Sequence, residues 1–462
     1  MKFIAGTPKG ETVVKFAFEG DLAGFSDAAK ANNFSGKERE LLVAYPGKPA
    51  KRLIVAGLGK KDKFNTEKLR RAAALIGQRA RALDLAEISI VPPAGDRIEH
   101  TQVVVEGLSL ALYEYKRWKS KSVKPLRLQT VRVDGDADAV RRGEIYARAT
   151  CLTRDLVNDP PSVCTPRYLA DAAKRVARKG ITIKVFDEKQ IKKMEMGGLQ
   201  GVAIGSTEPP RFVHLSYKAP GARRTVAIVG KGITFDSGGL CLKPADGMLN
   251  MKDDMSGAGA VIGIFSALAD LKPRVNVHGI FAATENMPGG SAYKTRDILR
   301  AMNGKTMEII NTDAEGRLIL ADALSYASRL KPSEIIDMAT LTGACVVALG
   351  PDMSAIFTAN EKLQKGILAA ARAEGEKVWP MPLENEYLDM IKSDVADMKN
   401  SGGRWGGAIT AALFLREFVE EGIPWAHLDI AGPALVENDR PYRPAGGTGV
   451  MVRTLLRYLE EQ

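Results

Sequence analysis

The chain has 462 residues, which is too long for one compact core, so two domains are expected. An apolar content of 45% and a charged content of 26% are ordinary for a soluble globular protein. The formal net charge of +11 leaves nucleic acid or an anionic surface as a possible partner, but charge alone indicates neither fold nor main function.

The chain has four scattered cysteines and no Cys-x-x-Cys pair, which excludes zinc-finger and thioredoxin classes and fits a reducing compartment. The first ten residues lack the basic-then-apolar pattern of a secretion signal. No apolar run reaches the roughly 18 residues of a membrane span. We therefore expect a cytoplasmic protein without a membrane partner. With four histidines and no His-Glu-x-x-His, a metal site would use mostly oxygen ligands.

Strands and helices alternate along the first third of the chain. Apolar alternation predicts strands over residues 13–18, 53–56, 87–91 and 126–133, and helical periodicity predicts helices over residues 66–85 and 104–119. A breaker-free helical pattern over 137–158 ends before Asp159-Pro160, because a residue before proline disfavours the helical conformation. We interpret the chain as an N-terminal α/β domain (1–135), a linking helix (136–160) and a catalytic domain (161–462).

The remainder shows regular β/α alternation, opening with a helix that Thr165 caps and Pro166 begins. Predicted strands cover residues 181–186, 201–204, 212–217, 226–229, 275–283, 307–310, 335–341 and 425–430. Predicted helices cover residues 255–271, 318–330, 361–374 and 408–419. Apolar strands that alternate with helices indicate an α/β fold, with a mainly parallel central sheet covered by helices in the larger C-terminal domain.

The most informative segment is the octapeptide Asn-Thr-Asp-Ala-Glu-Gly-Arg-Leu, from Asn311 to Leu318. In an extended segment, Asp313, Glu315 and Arg317 would point to one side. Two carboxylates on one side repel each other unless a cation lies between them, so the pattern suggests a metal site with an anion holder beside it. An isolated Asp-x-Glu is more often a polar loop at a strand end, and that alternative stays open for the octapeptide taken alone.

A second charged cluster lies upstream, after the strand predicted over 226–229. It contains Lys231, Asp236, Lys243 and the pair Asp253-Asp254 before a helix. Ligands in open α/β sheets bind beyond the carboxyl ends of the strands. An Asp at a helix start could serve only as a cap. Together with the octapeptide, however, four carboxylates would share one pocket, and two divalent cations, Zn²⁺ or Mn²⁺, would compensate their charge.

Five motifs follow one another along the chain: Val229–Gly239, Glu285–Gly290, the octapeptide, Ala339–Ala344 and Trp425–Gly432. In this order they resemble the leucyl (cytosol) aminopeptidase family. The resemblance runs from about Arg154 to the C-terminus and is weak over the first 125 or so residues.

The resemblance implies a five-residue metal set. Asp236 and Glu315 would bridge two ions, Lys231 and Asp254 would complete the tighter site, and Asp313 would complete the more exchangeable one. Lys231 could bind a metal only as a neutral amine, so the alternative of a plain salt bridge to a carboxylate stays open. The family pattern matches Asp254, which precedes Met255, so Asp253 is expected to be solvated or to cap a helix.

The resemblance also implies two catalytic residues. Lys243 would polarise the scissile carbonyl and stabilise the oxyanion, and its alternative is a surface lysine before a proline. Arg317 would hold a bicarbonate ion that acts as general base toward the bridging water, which attacks as a metal-bridging hydroxide, and its alternative is a lone ion pair with Glu315. Met251, Thr340 and Leu341 fall where the family lines its first specificity pocket, although a methionine is more often core.

The function that the resemblance implies is removal of the N-terminal residue, leucine or another apolar one, from peptide substrates. The family assembles as homohexamers, so a homohexamer is expected here too. His427 is expected to be structural. The alternative function is a nucleic-acid-binding or regulatory protein that uses the basic N-terminal domain, possibly as a second role, although no DNA-reading motif supports it.

Overall fold

A computed structural model describes residues 1–22, 24–47, 50–121, 124–178 and 180–462. The chain forms two compact units. Unit 1 contains Met1–Cys151 together with the short segments Ala373–Gly375 and Glu437–Ala445. Unit 2 contains the remainder. The division falls inside one long helix, so the domain boundaries expected at residues 135 and 160 stay predictions.

In unit 1 the described residues form a six-stranded sheet of order β1-β6-β5-β2-β4-β3, parallel except for the antiparallel edge pair β3 and β4. Its strands are β1 (Lys2–Ala5), β2 (Thr12–Ala17), β3 (Leu41–Ala44), β4 (Arg52–Gly57), β5 (Glu87–Ile90) and β6 (Thr130–Val133). Its helices are α1 (Ser26–Ala31), α2 (Thr66–Ala82) and α3 (Arg97–Ala111), and α4 (Ala137–Asn158) continues into unit 2.

The four strands and the helix α2 predicted in this region are confirmed, as is α4. The helix predicted over 104–119 is wrong in its bounds, because α3 begins at Arg97 and ends at Ala111. The side chain of Asp96 accepts a hydrogen bond from Glu99 N and caps this helix, a start signal that the periodicity argument missed.

Unit 2 contains an eight-stranded sheet of order β15-β14-β17-β13-β9-β10-β8-β7, a three-stranded sheet of order β11-β12-β16 and the pair β18-β19. The strands are β7 (Ile181–Phe186), β8 (Arg211–Tyr217), β9 (Thr225–Asp236), β10 (Asn276–Asn286), β11 (Ile298–Arg300), β12 (Thr306–Glu308), β13 (Glu334–Ala339), β14 (Ser354–Phe357), β15 (Val378–Pro380), β16 (Met398–Lys399), β17 (Trp425–Asp429), β18 (Leu435–Val436) and β19 (Gly446–Gly447). The helices are α5 (Pro166–Val176), α6 (Glu188–Lys193), α7 (Gly197–Ala203), α8 (Ala245–Met248), α9 (Ser256–Leu271), α10 (Gly316–Arg329), α11 (Gly343–Leu349), α12 (Glu361–Ala373), α13 (Gly407–Arg416) and α14 (Val452–Glu460).

The centre of the large sheet is parallel, as predicted. Neighbouring strands β17, β13, β9 and β10 all run the same way, and the antiparallel pairings lie on either side of this centre. Their carboxyl ends therefore meet at one edge, where Asp236 at the end of β9 and the polar segment Thr340–Thr342 after β13 lie. The capped start of α5 is also confirmed, because the Thr165 side chain accepts from Tyr168 N.

One strand predicted in unit 2 is wrong. The apolar run 201–204 forms the end of helix α7 and its C-cap rather than a strand. Short apolar runs carry no period, and the distant Asp322 accepts a hydrogen bond from Leu199 N near the start of this helix. The strand predicted over 307–310 is confirmed for Met307 and Glu308, which belong to β12 of the small sheet. The octapeptide that follows is a turn leading into α10 and not an extended row.

A bulge in β9 positions two of the charged residues. Ile233 pairs with Thr284 and Asp236 pairs with Asn286, so β9 contains one residue more than β10 between these pairs. Lys231 and Asp236 are five residues apart and would face opposite sides of a regular strand. Because the extra residue reverses the alternation, both side chains point toward the same centre.

Helix α9 packs on β9 with main chain against main chain. A Cβ built on Gly230 of β9 would lie 2.4 Å from Gly257 O, and one on Gly257 would lie 2.2 Å from Met338 O. The stretch 245–271 around α9 is long and apolar enough to cross a membrane. The expectation that no apolar run reaches the length of a membrane span is therefore wrong for this stretch. However, 78% of its most apolar window is buried inside the protein, as expected of a core helix.

Candidate metal centre

Lys231 lies at the middle of the charged cluster and is 3% exposed. Its Nζ is 2.7 Å from Asp254 Oδ2 and 2.9 Å from Glu315 Oε1, and it donates to Thr340 O at 2.9 Å. Burial alone would lower the pKa of Lys231, but the charges of Asp254, Glu315 and Asp236 raise it above its ordinary value. Without a metal ion, Lys231 is therefore an ammonium that pairs with carboxylates, which is the salt-bridge alternative.

Lys243 and Asp313 form the other side of the cluster. Lys243 Nζ is 2.9 Å from Asp236 Oδ2 and 2.5 Å from Asp313 Oδ1. The side chain of Lys243 is 15% exposed, so it is not a surface lysine. Burial would lower the pKa of Lys243, whereas the charge of Asp236 and the close contact with the Asp313 carboxylate raise it.

Three carboxylates converge closely enough to hold a metal ion. One ligand atom each from Asp236, Asp313 and Glu315 lies within 4.8 Å of the others. Glu315 Oε2 is buried and has no hydrogen-bond partner among the described residues. Asp254 Oδ2 and Asp313 Oδ1 lie at ion-pair distance from the two lysines but outside hydrogen-bonding geometry. These donor oxygens fit a divalent cation, which would satisfy them together.

The electrostatics of the acids support the same fit. Burial and the charge of Glu315 raise the pKa of Asp236 to about 6. Burial also raises the pKa values of Asp254 and Asp313. Burial would raise the pKa of Glu315 too, but the charges of Lys231 and Lys243 hold it below its ordinary value. The raised pKa values of Asp236, Asp254 and Asp313 mean that their ionisation is unfavourable without a counter-charge. Such carboxylates are expected where a bound cation would complete the charge balance.

Arg317 belongs to the first turn of α10 and is buried. Its Nη1 donates to Asn400 O at 2.7 Å, and its guanidinium carbon lies 6.0 Å from the centre of the Phe414 ring. Arg317 forms no ion pair with Glu315 within the part of the chain that is described, and its Nε has no partner there. Burial lowers the pKa of Arg317 to about 10 against the charges of Glu315 and Asp429. A buried guanidinium with a free donor can accept an anion.

The three predicted pocket residues differ in their surroundings. Thr340 belongs to the cluster itself, because its Oγ1 donates to Asp254 Oδ1 at 2.7 Å and its carbonyl accepts from Lys231. Leu341 N donates to Asp429 Oδ1 at 3.3 Å. Met251 begins a 3₁₀ turn, Met251–Asp253, that leads directly to Asp254.

Two expectations near the cluster can be tested against the structure. Asp253 is buried, so the expectation that it is solvated is wrong, and burial raises its pKa to about 7. His427 is fully buried in β17 with Nδ1 2.6 Å from Asp337 Oδ1, and this position is consistent with a structural role.

Sequence reasoning missed two asparagines that hold the charged segments. Asn286 Nδ2 donates to Asp236 Oδ1 at 2.8 Å and to Thr312 O at 3.0 Å. Asn400 Nδ2 donates to Asn311 O at 2.7 Å, its Oδ1 accepts from Ile310 N at 2.7 Å, and its carbonyl holds Arg317. Asn286 lies in one of the quoted motifs, so its position could have been flagged, but an asparagine alone signals no role.

The fold and the donor set together define a metal-dependent enzyme with an oxygen-rich centre. Residues 151–456 match the catalytic domain of the cytosol aminopeptidase family, and residues 9–122 match that family's N-terminal domain. The second match extends the likeness into the region where the sequence resemblance was weak. The chain belongs to the cytosol aminopeptidase family and is a metal-dependent aminopeptidase, a hydrolase.

Relatives and solved structures agree with this membership. The chain is 48% identical to a probable cytosol aminopeptidase of Aquifex aeolicus over 98% of its own length and 95% of the relative's. It is 45% identical to one of Solibacter usitatus, over 94% and 92%. Among solved structures, the bottromycin maturation enzyme BotP in complex with Mn is 37% identical, with a TM-score of 0.91 and coverage of 98% and 99%. A mutant of tomato leucine aminopeptidase is 35% identical, with a TM-score of 0.90 and coverage of 100% and 96%.

Proposed function

We propose that this protein removes the N-terminal residue, preferably leucine or another apolar residue, from peptides with the help of two divalent metal ions, Mn²⁺ or Zn²⁺. The observation that carries the proposal is the approach of Asp236, Asp313 and Glu315 within 4.8 Å around a buried, unpartnered Glu315 oxygen. Bound there, two cations would polarise a substrate oxygen and lower the pKa of a water molecule.

The five proposed ligands divide between the two ions by their positions. Asp236 and Glu315 would serve both ions, since Glu315 is near Lys231 on one side and Asp236 on the other. Lys231 and Asp254, which are 2.7 Å apart, would complete the tighter site. Asp313, whose side chain is 30% exposed, would complete the more exchangeable one. Lys231 would have to lose its proton for this role, since an ammonium has no lone pair.

Lys243 is proposed to donate to the oxygen that gains negative charge as the peptide bond is attacked. Its ammonium lies beside Asp236 and Asp313 and therefore next to the proposed ions. A positioned cationic donor of this kind stabilises an oxyanion because it needs no reorganisation during the reaction.

Arg317 is proposed to hold a bicarbonate ion that accepts a proton from the attacking water and passes it to the leaving amine. Support comes from the buried guanidinium, whose Nε has no partner among the described residues, at the end of the same octapeptide. A guanidinium holds a planar oxyanion through two parallel hydrogen bonds.

The remaining proposals concern specificity and assembly. Met251, Thr340 and Leu341 would line the pocket for the N-terminal side chain, and the apolar methionine and leucine favour apolar residues. We also propose that the protein is cytoplasmic, consistent with the relatives' name, and that it assembles as a homohexamer. Neither the family match nor the relatives' names support the nucleic-acid alternative.

The decisive variant is Glu315→Ala. We expect it to abolish turnover of leucine anilides with added Mn²⁺ or Zn²⁺, because it removes a proposed ligand of both ions. Glu361→Ala is the matched control, since Glu361 is an exposed acid of α12 whose ion pair, among the described residues, is with Lys365. Near-normal turnover by Glu315→Ala with metal still bound would refute the assignment.

A further inference from the structure

Asn286 ends β10 directly opposite Asp236 in the bulged ladder. Its side chain is fully buried, and its amide nitrogen joins two segments that carry proposed ligands. One hydrogen bond, of 2.8 Å, reaches Asp236 Oδ1, and the other, of 3.0 Å, reaches Thr312 O in the octapeptide. Asn286 therefore touches the end of β9 and the residue before Asp313 at once.

The hydrogen bonds at Asp236 are divided unequally between its two oxygens. Oδ1 accepts from Asn286 Nδ2 at 2.8 Å and from Gly238 N at 2.9 Å. A carboxylate oxygen has about two lone-pair sites, so these donors occupy Oδ1. Among the residues that the structure describes, Oδ2 has only the Lys243 ammonium as a partner, at 2.9 Å. Oδ2 is therefore the oxygen left to meet the proposed ions, and the two donors fix the orientation of the carboxylate.

We infer that Asn286 is a positioning residue for the metal centre: its amide selects which oxygen of Asp236 faces the ions and fixes the distance from Asp236 to the octapeptide. This inference rests on the metal centre proposed above. Asn286 acts through Asp236 and contacts no reacting atom in this role. Outer hydrogen-bond partners of metal ligands commonly change metal affinity by about 10–100-fold.

Tyr293 provides a matched control. Its hydroxyl donates to the same Thr312 O at 2.7 Å, but no hydrogen bond joins it to Asp236 in the described structure. Tyr293→Phe therefore removes one support of the octapeptide and leaves the Asp236 contact intact. Leucine has as many non-hydrogen side-chain atoms as asparagine, so Asn286→Leu keeps the size of the side chain and removes both hydrogen bonds of Nδ2. The difference between the two variants isolates the hydrogen bond to Asp236.

The experiment measures Mn²⁺ binding to the metal-free proteins by calorimetry, with thermal unfolding of each metal-free protein recorded in parallel. We expect Asn286→Leu to bind Mn²⁺ about 10–100-fold more weakly than wild type, and Tyr293→Phe to bind within about threefold of wild type. Asn286→Ala gives the same comparison if the leucine variant does not fold.

Two results would count against the inference in different ways. If Asn286→Leu and Asn286→Ala lose thermal stability but bind Mn²⁺ like wild type, Asn286 is only a structural residue and the metal centre stands. If wild type itself binds no Mn²⁺ or Zn²⁺, the proposed metal centre fails, and the role of Asn286 fails with it.

Discussion

Gly316, the first residue of α10, lies against the Lys231 side chain, so Gly316→Ala tests how tightly the centre is packed. A Cβ at this position would lie 2.4 Å from Lys231 Cε, 2.6 Å from Nζ and 2.8 Å from Cδ. Carbon atoms normally approach to about 3.5–4.0 Å, so the lysine must move by about 1 Å. The lysine has little freedom to move, because its ammonium contacts Asp254, Glu315 and Thr340 within 2.9 Å.

Two opposing contributions determine how Gly316→Ala changes the free energy of unfolding. Loss of one hydrogen bond to a charged group costs about 1.5–3 kcal/mol. Alanine is favoured over glycine in a helix by at most about 1 kcal/mol. The metal-free Gly316→Ala protein should therefore be less stable by about 0.5–3 kcal/mol, and displacement of a proposed ligand by about 1 Å should lower kcat/KM by roughly 10²-fold.

The assay combines thermal unfolding of the metal-free protein with turnover of a leucine anilide at saturating Mn²⁺. Gly259→Ala in α9 is the control, because its Cβ would meet neighbours only at 3.4 Å or more, an ordinary contact. That variant should keep its activity and gain a little stability. If Gly316→Ala behaves like Gly259→Ala, the packing argument around Lys231 is refuted.

Two further predictions concern an anion and a proton. Arg317→Ala should lower kcat by about 10²–10⁴-fold while Mn²⁺ stays bound, and it should remove any stimulation by bicarbonate; an unchanged bicarbonate response would contradict the proposed role. His214, whose Nε2 is 2.9 Å from His278 Nδ1, has its pKa lowered to about 4 by burial and by His278. Below its ordinary pKa of about 6.5 the unfolded chain binds a proton that the folded one excludes, so the free energy of unfolding should fall by on the order of 3 kcal/mol between pH 6.5 and 4. The free energy of unfolding, measured by denaturant titration at each pH in this range, should change less steeply with pH for His214→Gln than for wild type. An equal pH dependence in the two proteins would refute the role given to His214.

Sequence periodicity predicts much of the secondary structure. The prediction fails where contacts between residues far apart in the sequence determine whether a segment is a helix or a strand. The predicted 137–158 helix is confirmed as α4, because its pattern is long and ends at prolines. The run 201–204 ends helix α7, and near the start of that helix Leu199 N donates to Asp322, more than a hundred residues away, a contact that no local window contains.

The candidate site shows the same division. The order of the motifs predicts one site for Lys231, Asp236 and Glu315, and in the structure these residues lie around one centre. The prediction that the acids of the octapeptide share one side of an extended segment is wrong, because they lie in a turn before α10. The bulge in β9 was also invisible in the sequence, because an extra residue leaves no mark until the partner strand is known.

The contact between Gly230 and Gly257 limits how this centre could be altered. It is made by main-chain atoms, with a virtual Cβ on Gly230 only 2.4 Å from Gly257 O. Lys231 directly follows Gly230, and Asp254 lies three residues before Gly257. The spacing between these two proposed ligands therefore depends on a main-chain contact that no side-chain substitution can widen in small steps. A change of the proposed metal preference, in evolution or by design, would be expected to exchange the ligand residues and to keep this main-chain contact.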